Sequence, residues 1–248
     1  MTEIHDRIRD WWNADAEVYD RAPSHAASDP LEAAAWRAAL EDALPPSPAT
    51  VLDVGAGTGA MSLLAAELGL DVTALDLASA MLDRARSKAD ALGLGLSFVV
   101  GRADEPPAGP FDAVMERHVL WTSPNPVETL AAWRGVVRPG GRLALFEGIW
   151  GRTDVVQRVR DAAAEALRRA YGIAHDHHAE YDEAILAELP LARLPSAQPL
   201  IDAVHAAGWR AVRVRRLRDV EWARRIAAKP VLGALESVPQ FALIADAS

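Results

Sequence analysis

The chain contains no cysteine and no long apolar run, and each absence excludes a class of protein. Without cysteine there is neither a disulfide framework nor a thiolate metal site. No apolar stretch reaches the length that a membrane-spanning helix needs, so no membrane partner is expected. The polar start, Met1 to Arg7, lacks the apolar core of a secretory signal peptide. We therefore expect a cytoplasmic protein.

Basic residues are fewer than acidic ones, 26 against 35. The net charge is −9 and the isoelectric point is about 5.3, which argues against nucleic acid as a partner. The densest basic run, residues 210–218, alternates with apolar residues in the manner of a strand with one solvated face. Lys88 and Lys229 are the only lysines among 26 basic residues. This bias, together with abundant alanine, indicates a GC-rich bacterial genome, of a kind rich in specialised-metabolite pathways.

The most informative motif is a glycine-rich turn between a strand and a helix. A β-branched run, Thr50 to Val54, contains Asp53 and leads through Gly55, Gly57 and Gly59 into a helix-forming segment. Glycine lets the backbone approach a ligand without a Cβ in the way, and a helix N-terminus attracts anionic groups. The same residues also fit the G-x-G-x-x-A variant of the nicotinamide fingerprint. The turn alone therefore predicts a nucleotide-like ligand without choosing the cofactor.

Two later motifs bear on that choice. The run Leu70 to Asp76 is predicted as a second strand, and its final acid lies 23 residues after Asp53, near the spacing at which a carboxylate reaches ribose hydroxyls. The run Arg138 to Gly141, R-P-G-G, ends a helix that begins at Asn125 and precedes another apolar strand. Together with D-x-G-x-G-x-G, these motifs resemble the class I S-adenosylmethionine (SAM) methyltransferases over residues 51–147. R-P-G-G is not typical of nicotinamide dehydrogenases.

The resemblance implies an α/β fold, a doubly wound, Rossmann-like sheet of seven strands whose last strand runs antiparallel. The apolar periodicity of the chain independently predicts strands that alternate with helices. We expect a single methyltransferase domain over residues 1–248. Within it, residues 1–45 are expected to form an N-terminal helical cover, and residues 150–200 a lid insertion between the fifth and sixth strands.

The resemblance also implies which residues hold SAM, whose product after transfer is S-adenosylhomocysteine. Asp76 is expected on the ribose, and the residues just after it against the adenosine. Arg102 stands where the family usually has the aspartate that meets the adenine amino group, so either Asp104 or the backbone at Ala103 is expected to replace it. The predicted cofactor-binding residues are Asp53, Gly55, Gly57, Thr58, Gly59, Asp76, Leu77, Met81, Ala103, Asp104 and Glu116.

The acceptor is expected at the ends of the fourth and fifth strands, since open α/β sheets bind ligands at this edge. His118 is the candidate catalytic base or orienting residue, with a purely packing role as the alternative, and Glu147 is the less favoured catalytic candidate. A helix over residues 3–19 carries an aromatic stripe that resembles the helix closing over the donor in small-molecule methyltransferases, or that packs on the core. The predicted acceptor-site residues are Trp11, Trp12, Tyr19, His118, Trp121, Trp150 and His175.

Three histidines in the predicted insertion invite a metal interpretation, since imidazole is a common ligand. They are His175, His177 and His178. Because no second ligand cluster has a matching spacing, no metal is predicted. A polar lid loop with some acceptor contact is the preferred interpretation.

These observations predict an enzyme, a SAM-dependent methyltransferase. Its acceptor is expected to be a small, partly aromatic metabolite, methylated on O, N or C by in-line displacement in a closed pocket. A peptide or protein N-methyltransferase is the alternative, and it would need an open groove. A SAM-binding protein without activity and a nicotinamide-dependent oxidoreductase are the remaining hypotheses, and R-P-G-G argues against the last.

Overall fold

The computed structural model of the chain describes residues 2–149, 155–173, 177–179 and 181–247. Its seven strands are β1 (Thr50–Val54), β2 (Asp71–Asp76), β3 (Ser97–Val100), β4 (Phe111–Arg117), β5 (Val137–Gly148), β6 (Arg210–Arg216) and β7 (Gln240–Asp246). They form one sheet with the order β3-β2-β1-β4-β5-β7-β6. Strands β1 to β5 are parallel to one another, whereas β7 runs antiparallel to β5 and β6. The predicted sheet with its antiparallel last strand is confirmed.

Helices cover both faces of this sheet. In the described residues they are α1 (Thr2–Asp15), α2 (Pro23–Ala26), α3 (Pro30–Ala43), α4 (Ala60–Glu67), α5 (Ser79–Leu92), α6 (Pro126–Val136), α7 (Val155–Tyr171), α8 (Glu183–Leu186), α9 (Gln198–Ala206), α10 (Arg218–Ala227) and α11 (Pro230–Leu235). One buried cluster joins α3, α4 and α10 to one face, and another joins α6 and α9 to the opposite face. The central strands are therefore apolar on both sides, as parallel strands between two helical layers must be.

Buried tryptophans in this core also position the edge where ligands bind. Trp36 and Trp133 are fully buried, and each indole N–H has a hydrogen-bond acceptor. Trp36 Nε1 donates to Glu32 Oε1 at 3.1 Å, and Trp133 Nε1 donates to the carbonyl oxygen of Ala103 at 2.6 Å. A buried indole needs such a partner, because an unmade hydrogen bond in the interior is costly. The bond from Trp133 holds the loop after β3 in place.

The N-terminal helix is joined to the far end of the insertion by apolar packing. Ile4 and Ile8 of α1 lie in one buried cluster with Ile185 and Leu189. In this segment α8 spans only Glu183–Leu186. Leu189 reaches the cluster from the turns that follow α8.

A polar contact joins the same two segments. The Asp15 side chain is fully buried at the end of α1. It accepts hydrogen bonds from His177 Nδ1 and His178 Nδ1, each at 2.9 Å, and from the backbone N–H of His178 at 2.7 Å. Because α1 ends here, Tyr19 lies in a separate 3₁₀ turn (Tyr19–Arg21) and not in the single helix expected over residues 3–19.

Helix α7 contacts the body of the protein through its arginines. Arg160 Nη2 donates to the carbonyl oxygens of Ala234 and Leu235 at 2.8 and 3.0 Å, beside α11. Val155 and Val159 of α7 do not pack on the body of the protein, since they retain 65% and 64% of their accessible surface.

Among the residues that the structure describes, no helix combines the length and the apolar character that a membrane crossing requires.

Candidate active site

The glycine turn after β1 has the backbone that its sequence predicts. Gly55, Gly57 and Gly59 have φ values of +63°, +56° and +87°, in the region that side chains rarely adopt. A Cβ on Gly55 would lie 2.2 Å from Val119 Cγ2, so this position has no room for a side chain. A Cβ on Gly57 would meet only the carbonyl oxygen of Gly55, at 4.0 Å. The turn therefore opens a free approach to the backbone at Gly57.

The acid at the end of β2 is fixed against this turn. Asp76 Oδ2 accepts the backbone N–H of Gly57, and Asp76 Oδ1 accepts that of Ala78, both at 2.8 Å. Burial raises the pKa of Asp76 to about 6, and the two backbone hydrogen bonds act in the opposite direction. Each carboxylate oxygen keeps a further lone pair for a ligand hydroxyl.

One cavity collects most of the predicted cofactor residues together with part of the cover. Of the predicted residues, it is lined by Gly55, Gly57, Asp76, Leu77, Met81, Ala103, Asp104, Trp12, Tyr19 and His118. Leu77 and Met81 supply apolar surface beside the Asp76 carboxylate. The cavity thus has one polar end for hydroxyl groups and an apolar wall, which is the composition that a nucleoside needs.

Four predicted cofactor residues lie behind the cavity wall. Asp53 and Glu116 are buried, Thr58 donates to Asp20 Oδ1 at 2.7 Å, and Gly59 is the N-cap of α4. Asp53 accepts the hydroxyl of Ser62 in α4, and burial raises its pKa to about 7. These residues shape the turn from behind, and they do not line the cavity.

The buried Glu116 carboxylate organises the turn after β4. Its Oε2 accepts the backbone N–H of Val119 at 2.7 Å and that of Leu120 at 3.3 Å. This places the Val119 side chain against Gly55, where a Cβ would otherwise lie. Burial raises the pKa of Glu116 to about 8. Glu116 therefore connects the ends of β1 and β4.

The loop after β3 carries a forked ion pair at the cavity wall. Arg102 Nε donates to Asp104 Oδ1 at 2.9 Å, and Arg102 Nη2 contacts Asp104 Oδ2. The hydrogen bond from Arg102, together with the charge of this guanidinium, holds the pKa of Asp104 below its usual range, against the effect of burial. The neighbouring Ala103 carbonyl is taken by Trp133. Both expected adenine contacts, Asp104 and the backbone at Ala103, thus lie at the cavity.

His118 lies at the cavity with a strained backbone. Its φ is +59°, a value that non-glycine residues adopt mainly where the surrounding structure imposes it. The backbone N–H donates to the Phe146 carbonyl at 3.1 Å, and Nδ1 lies 3.3 Å from Glu147 Oε2 on β5. Burial lowers the pKa of His118 well below its usual range, and Arg224 and Arg117 add to this. The two catalytic candidates of the sequence are therefore in contact.

Burial has the opposite effect on the acid of this pair. It raises the pKa of Glu147 well above the usual value, and the neighbouring Glu116 carboxyl adds to the rise. Glu147 does not line the cavity, and its side chain is almost fully buried. His118 is therefore the member of the pair that faces a ligand.

The predicted aromatic residues are divided between the cavity and the cover above it. Trp12 and Tyr19 line the cavity, and their rings lie edge to face, 5.8 Å apart. Trp11 and Trp121 stand behind them, each packed on the Tyr181 ring, at 4.7 and 5.4 Å. Trp150 and His175 lie outside the described residues. Within the described ranges, no group of three or more potential ligand side chains could hold a metal ion.

Several lining residues were not predicted from the sequence. They are His5, Ile8, Leu75, Gly101, Arg102, Arg117, Val119, Thr122, Ser123 and Thr129. His5 and Ile8 share a helical face with Trp12, so the spacing of α1 could have found them. Arg117 had no such signal, because an arginine at the end of a strand is ordinarily solvated.

The chain is similar in sequence and in fold to known proteins. A family model described as "Methyltransferase domain" matches residues 52–145. A ubiquinone biosynthesis O-methyltransferase of Xanthomonas axonopodis pv. citri is 32% identical over 174 residues, which cover 69% of each chain. The solved structure described as "Conversion of a Disulfide Bond into a Thioacetal Group during Echinomycin Biosynthesis" is 26% identical, with a TM-score of 0.55 over 86% of this chain and 81% of that one.

Another solved structure shares the fold at low sequence identity. The geranyl diphosphate C-methyltransferase of Streptomyces coelicolor A3(2), solved with S-adenosyl-L-homocysteine, has a TM-score of 0.59 at 14% identity, over 87% of this chain and 79% of that one. Taken with the sheet order and the glycine turn, these matches show that the chain belongs to the class I SAM-dependent methyltransferases. It is a methyl-transferring enzyme, and its cofactor is SAM. The free approach at Gly57 and the carboxylate of Asp76 fit that cofactor.

Proposed function

We propose that this methyltransferase acts on a small, partly aromatic metabolite in a pocket closed by α1 and the insertion. One observation supports this most directly: the aromatic side chains of Trp12 and Tyr19 line the donor cavity, under a cover that apolar packing ties to residues 181–192. Such a cover excludes water and holds two reactants in contact. Flat aromatic faces suit an aromatic acceptor, whereas a folded protein substrate needs an open groove.

The donor is held by the residues that line the cavity. Asp76 accepts hydrogen bonds from the ribose hydroxyls, and Leu77 and Met81 pack on the adenosine. Both Asp104 oxygens contact Arg102 and the Ala103 carbonyl accepts the Trp133 indole, so the Asp104 carboxylate and the backbone N–H of Ala103 are the two candidates for the adenine. When bound, SAM would supply a methyl carbon on a positively charged sulfur; the nucleophile bonds to that carbon as the carbon–sulfur bond breaks, and the sulfur leaves as the neutral thioether of S-adenosylhomocysteine.

Oxygen is the preferred acceptor atom, with nitrogen and carbon as the other candidates. The Xanthomonas relative is named as an O-methyltransferase, and a hydroxyl acceptor must lose a proton as it is methylated. His118 can take that proton, because its depressed pKa keeps the imidazole neutral near neutral pH. Glu147 contacts Nδ1 and orients the ring, so it acts through His118.

Transfer from isotopically labelled SAM tests this function. The purified chain is incubated with a small-metabolite extract and, separately, with a protein extract from a GC-rich bacterium. We expect label in a small organic product, which mass spectrometry identifies. Label confined to protein would overturn the proposal and favour a peptide or protein acceptor. A chain with Asp76→Ala serves as the control for transfer that does not depend on the donor site.

A further inference from the structure

We propose that Arg117 binds an anionic group of the acceptor, so that the substrates are small aromatic acids with a carboxylate. This inference rests on the proposed function and adds the chemical class of the substrate. It is carried by the position of one guanidinium, at the end of β4 and on the wall of the donor cavity, next to His118 and Tyr19.

The guanidinium is held in place without being neutralised. It donates to the backbone carbonyl oxygens of Ser24 and His25 in the N-terminal cover. It also lies over the Trp36 ring, with Cζ 5.5 Å from the ring centroid. Among the described residues, no carboxylate forms an ion pair with Arg117. Carbonyl oxygens and an aromatic face orient the charge, but they contribute no counter-charge.

Glu32, an acid whose charge acts on Arg117, is paired with another arginine. Glu32 is buried, and its Oε1 accepts both Arg224 Nε, at 2.7 Å, and Trp36 Nε1, at 3.1 Å. Arg224 Cζ lies over the same Trp36 ring, also at 5.5 Å from its centroid. Arg117 and Arg224 therefore lie over the same ring, and Glu32 is paired with Arg224. Burial lowers the pKa of Arg117, and the charge of Arg224 adds to this, whereas Tyr19, Glu32 and Asp53 act in the opposite direction.

A partly buried charge without a paired counter-charge is costly, and a ligand that supplies the counter-charge binds with a corresponding advantage. A planar guanidinium matches a carboxylate through two parallel hydrogen bonds, which fixes orientation as well as charge. Arg117 also acts on the pKa of His118, as do Arg224 and His25. Because His118 is the acceptor-facing base of the proposed function, an anion on Arg117 would place the acceptor ring beside that base.

A carboxylate could reach this cavity from two sources, the acceptor or the methionine part of the donor. The position of the two arginines favours the acceptor, because Arg117 and Arg224 donate to backbone carbonyl oxygens of the cover, at His25 and Ser24, and the charges of both act on His118. The experiment must therefore measure acceptor and donor binding separately.

Binding of matched probes tests the acceptor assignment. The wild-type enzyme, saturated with S-adenosylhomocysteine, is titrated calorimetrically with para-hydroxybenzoate and para-hydroxybenzamide, which differ in charge and hardly in shape. We expect the acid to bind at least about tenfold more tightly than the amide, as one charge-assisted pair allows. The exposed arginine variant Arg213→Met should keep this preference, Arg117→Met should abolish it, and Arg117→Lys should retain part of it.

Three outcomes would overturn the inference: equal affinity for the two probes, no binding of either, or a preference that survives in Arg117→Met. A fourth concerns the donor. If Arg117→Met weakens S-adenosylhomocysteine about tenfold but leaves methylthioadenosine unchanged, the arginine binds the donor carboxylate instead. Thermal unfolding and circular dichroism show whether each variant is folded. If Arg117→Met does not fold, Arg117→Lys tests the role of the guanidinium.

The failure of this inference can be told apart from the failure of the proposed function. Label in small neutral phenols, with no preference for acids, would overturn the role of Arg117 alone. Label confined to protein would overturn the proposed function.

Discussion

At the scale of single residues, Asp76 is the most direct test of donor binding. Its carboxylate lies at the cavity, held by the backbone N–H groups of Gly57 and Ala78. Replacement by alanine removes the acceptor of the ribose hydroxyls. We expect Asp76→Ala to weaken S-adenosylhomocysteine by about 2–3 kcal/mol, the range of hydrogen bonds to a charged group. Calorimetric titration measures this change.

The control for that variant is Asp71→Ala, an exposed acid at the start of the same strand, β2. It should leave donor affinity unaltered. If Asp76→Ala also binds the donor as tightly as the wild type, Asp76 does not contact the ribose.

His118 tests the chemistry of transfer. It contacts Glu147 and lines the cavity, and its neutral imidazole can take a proton from a hydroxyl acceptor. Loss of a positioned base lowers turnover by about 10²–10⁴-fold, so His118→Ala should reduce kcat by this order while donor affinity changes little. Single-turnover rates and donor titrations separate the two effects. Unchanged turnover with the true acceptor would assign His118 to packing.

At the scale of elements, the β1–α4 turn illustrates how much of this fold is readable from sequence. All three glycines of the motif have positive φ, which is why no other residue type stands there. The doubly wound sheet of seven strands and the antiparallel β7 followed from the resemblance that the turn and R-P-G-G carry. Local motifs of this kind report local backbone geometry, and such geometry is what sequence patterns encode well.

The acceptor side was less accessible to sequence reasoning, because its residues meet only through tertiary packing. Arg117 is held by Ser24 and His25, more than ninety positions earlier in the chain. The α1 helix was expected to continue to Tyr19, and it ends at Asp15 where the insertion contacts it. The spacing of residues within α1 or within the insertion does not indicate that these two segments are in contact. Pattern reading therefore located the glycine turn and missed the arginine that lines the same cavity.

The contact between α1 and the insertion leads to a third prediction. Asp15 is fully buried, and burial alone would raise its pKa, but the hydrogen bonds from His177 and His178 bring it below the usual value. Asp15→Asn removes this charge-assisted contact at an estimated cost of about 1–3 kcal/mol. Hydrogen exchange in residues 181–194 should accelerate relative to β4.

The matched control is Asp10→Asn, on the same helix and largely exposed. It should leave exchange in the insertion unchanged. Equal protection of residues 181–194 in Asp15→Asn and the wild type would show that apolar packing alone holds the cover.

At the scale of the whole molecule, buried acids gather at one edge of the sheet. Asp53, Asp76, Glu116 and Glu147 lie at or near the carboxyl ends of β1, β2, β4 and β5, and burial raises the pKa of each. The folded protein therefore binds more protons than the unfolded chain once the pH exceeds the ordinary carboxyl pKa. Their contribution to stability is complete below a pH of about 4 and is lost as pH rises through the folded-state values.

The free energy of unfolding without donor should therefore fall as the pH rises from about 6.5 to about 8, by roughly 1–3 kcal/mol. His118 does not oppose this fall, since its lowered pKa costs stability only below the ordinary histidine value of about 6.5. Urea unfolding across this range measures the slope. Asp53→Asn should make the slope shallower, because the amide can still accept the Ser62 hydroxyl but does not titrate. Glu41→Gln, at an exposed site, should leave the slope unchanged. A stability that stays constant over this interval would show that these carboxyls are ionised in the folded protein, because groups ionised in both states contribute no slope.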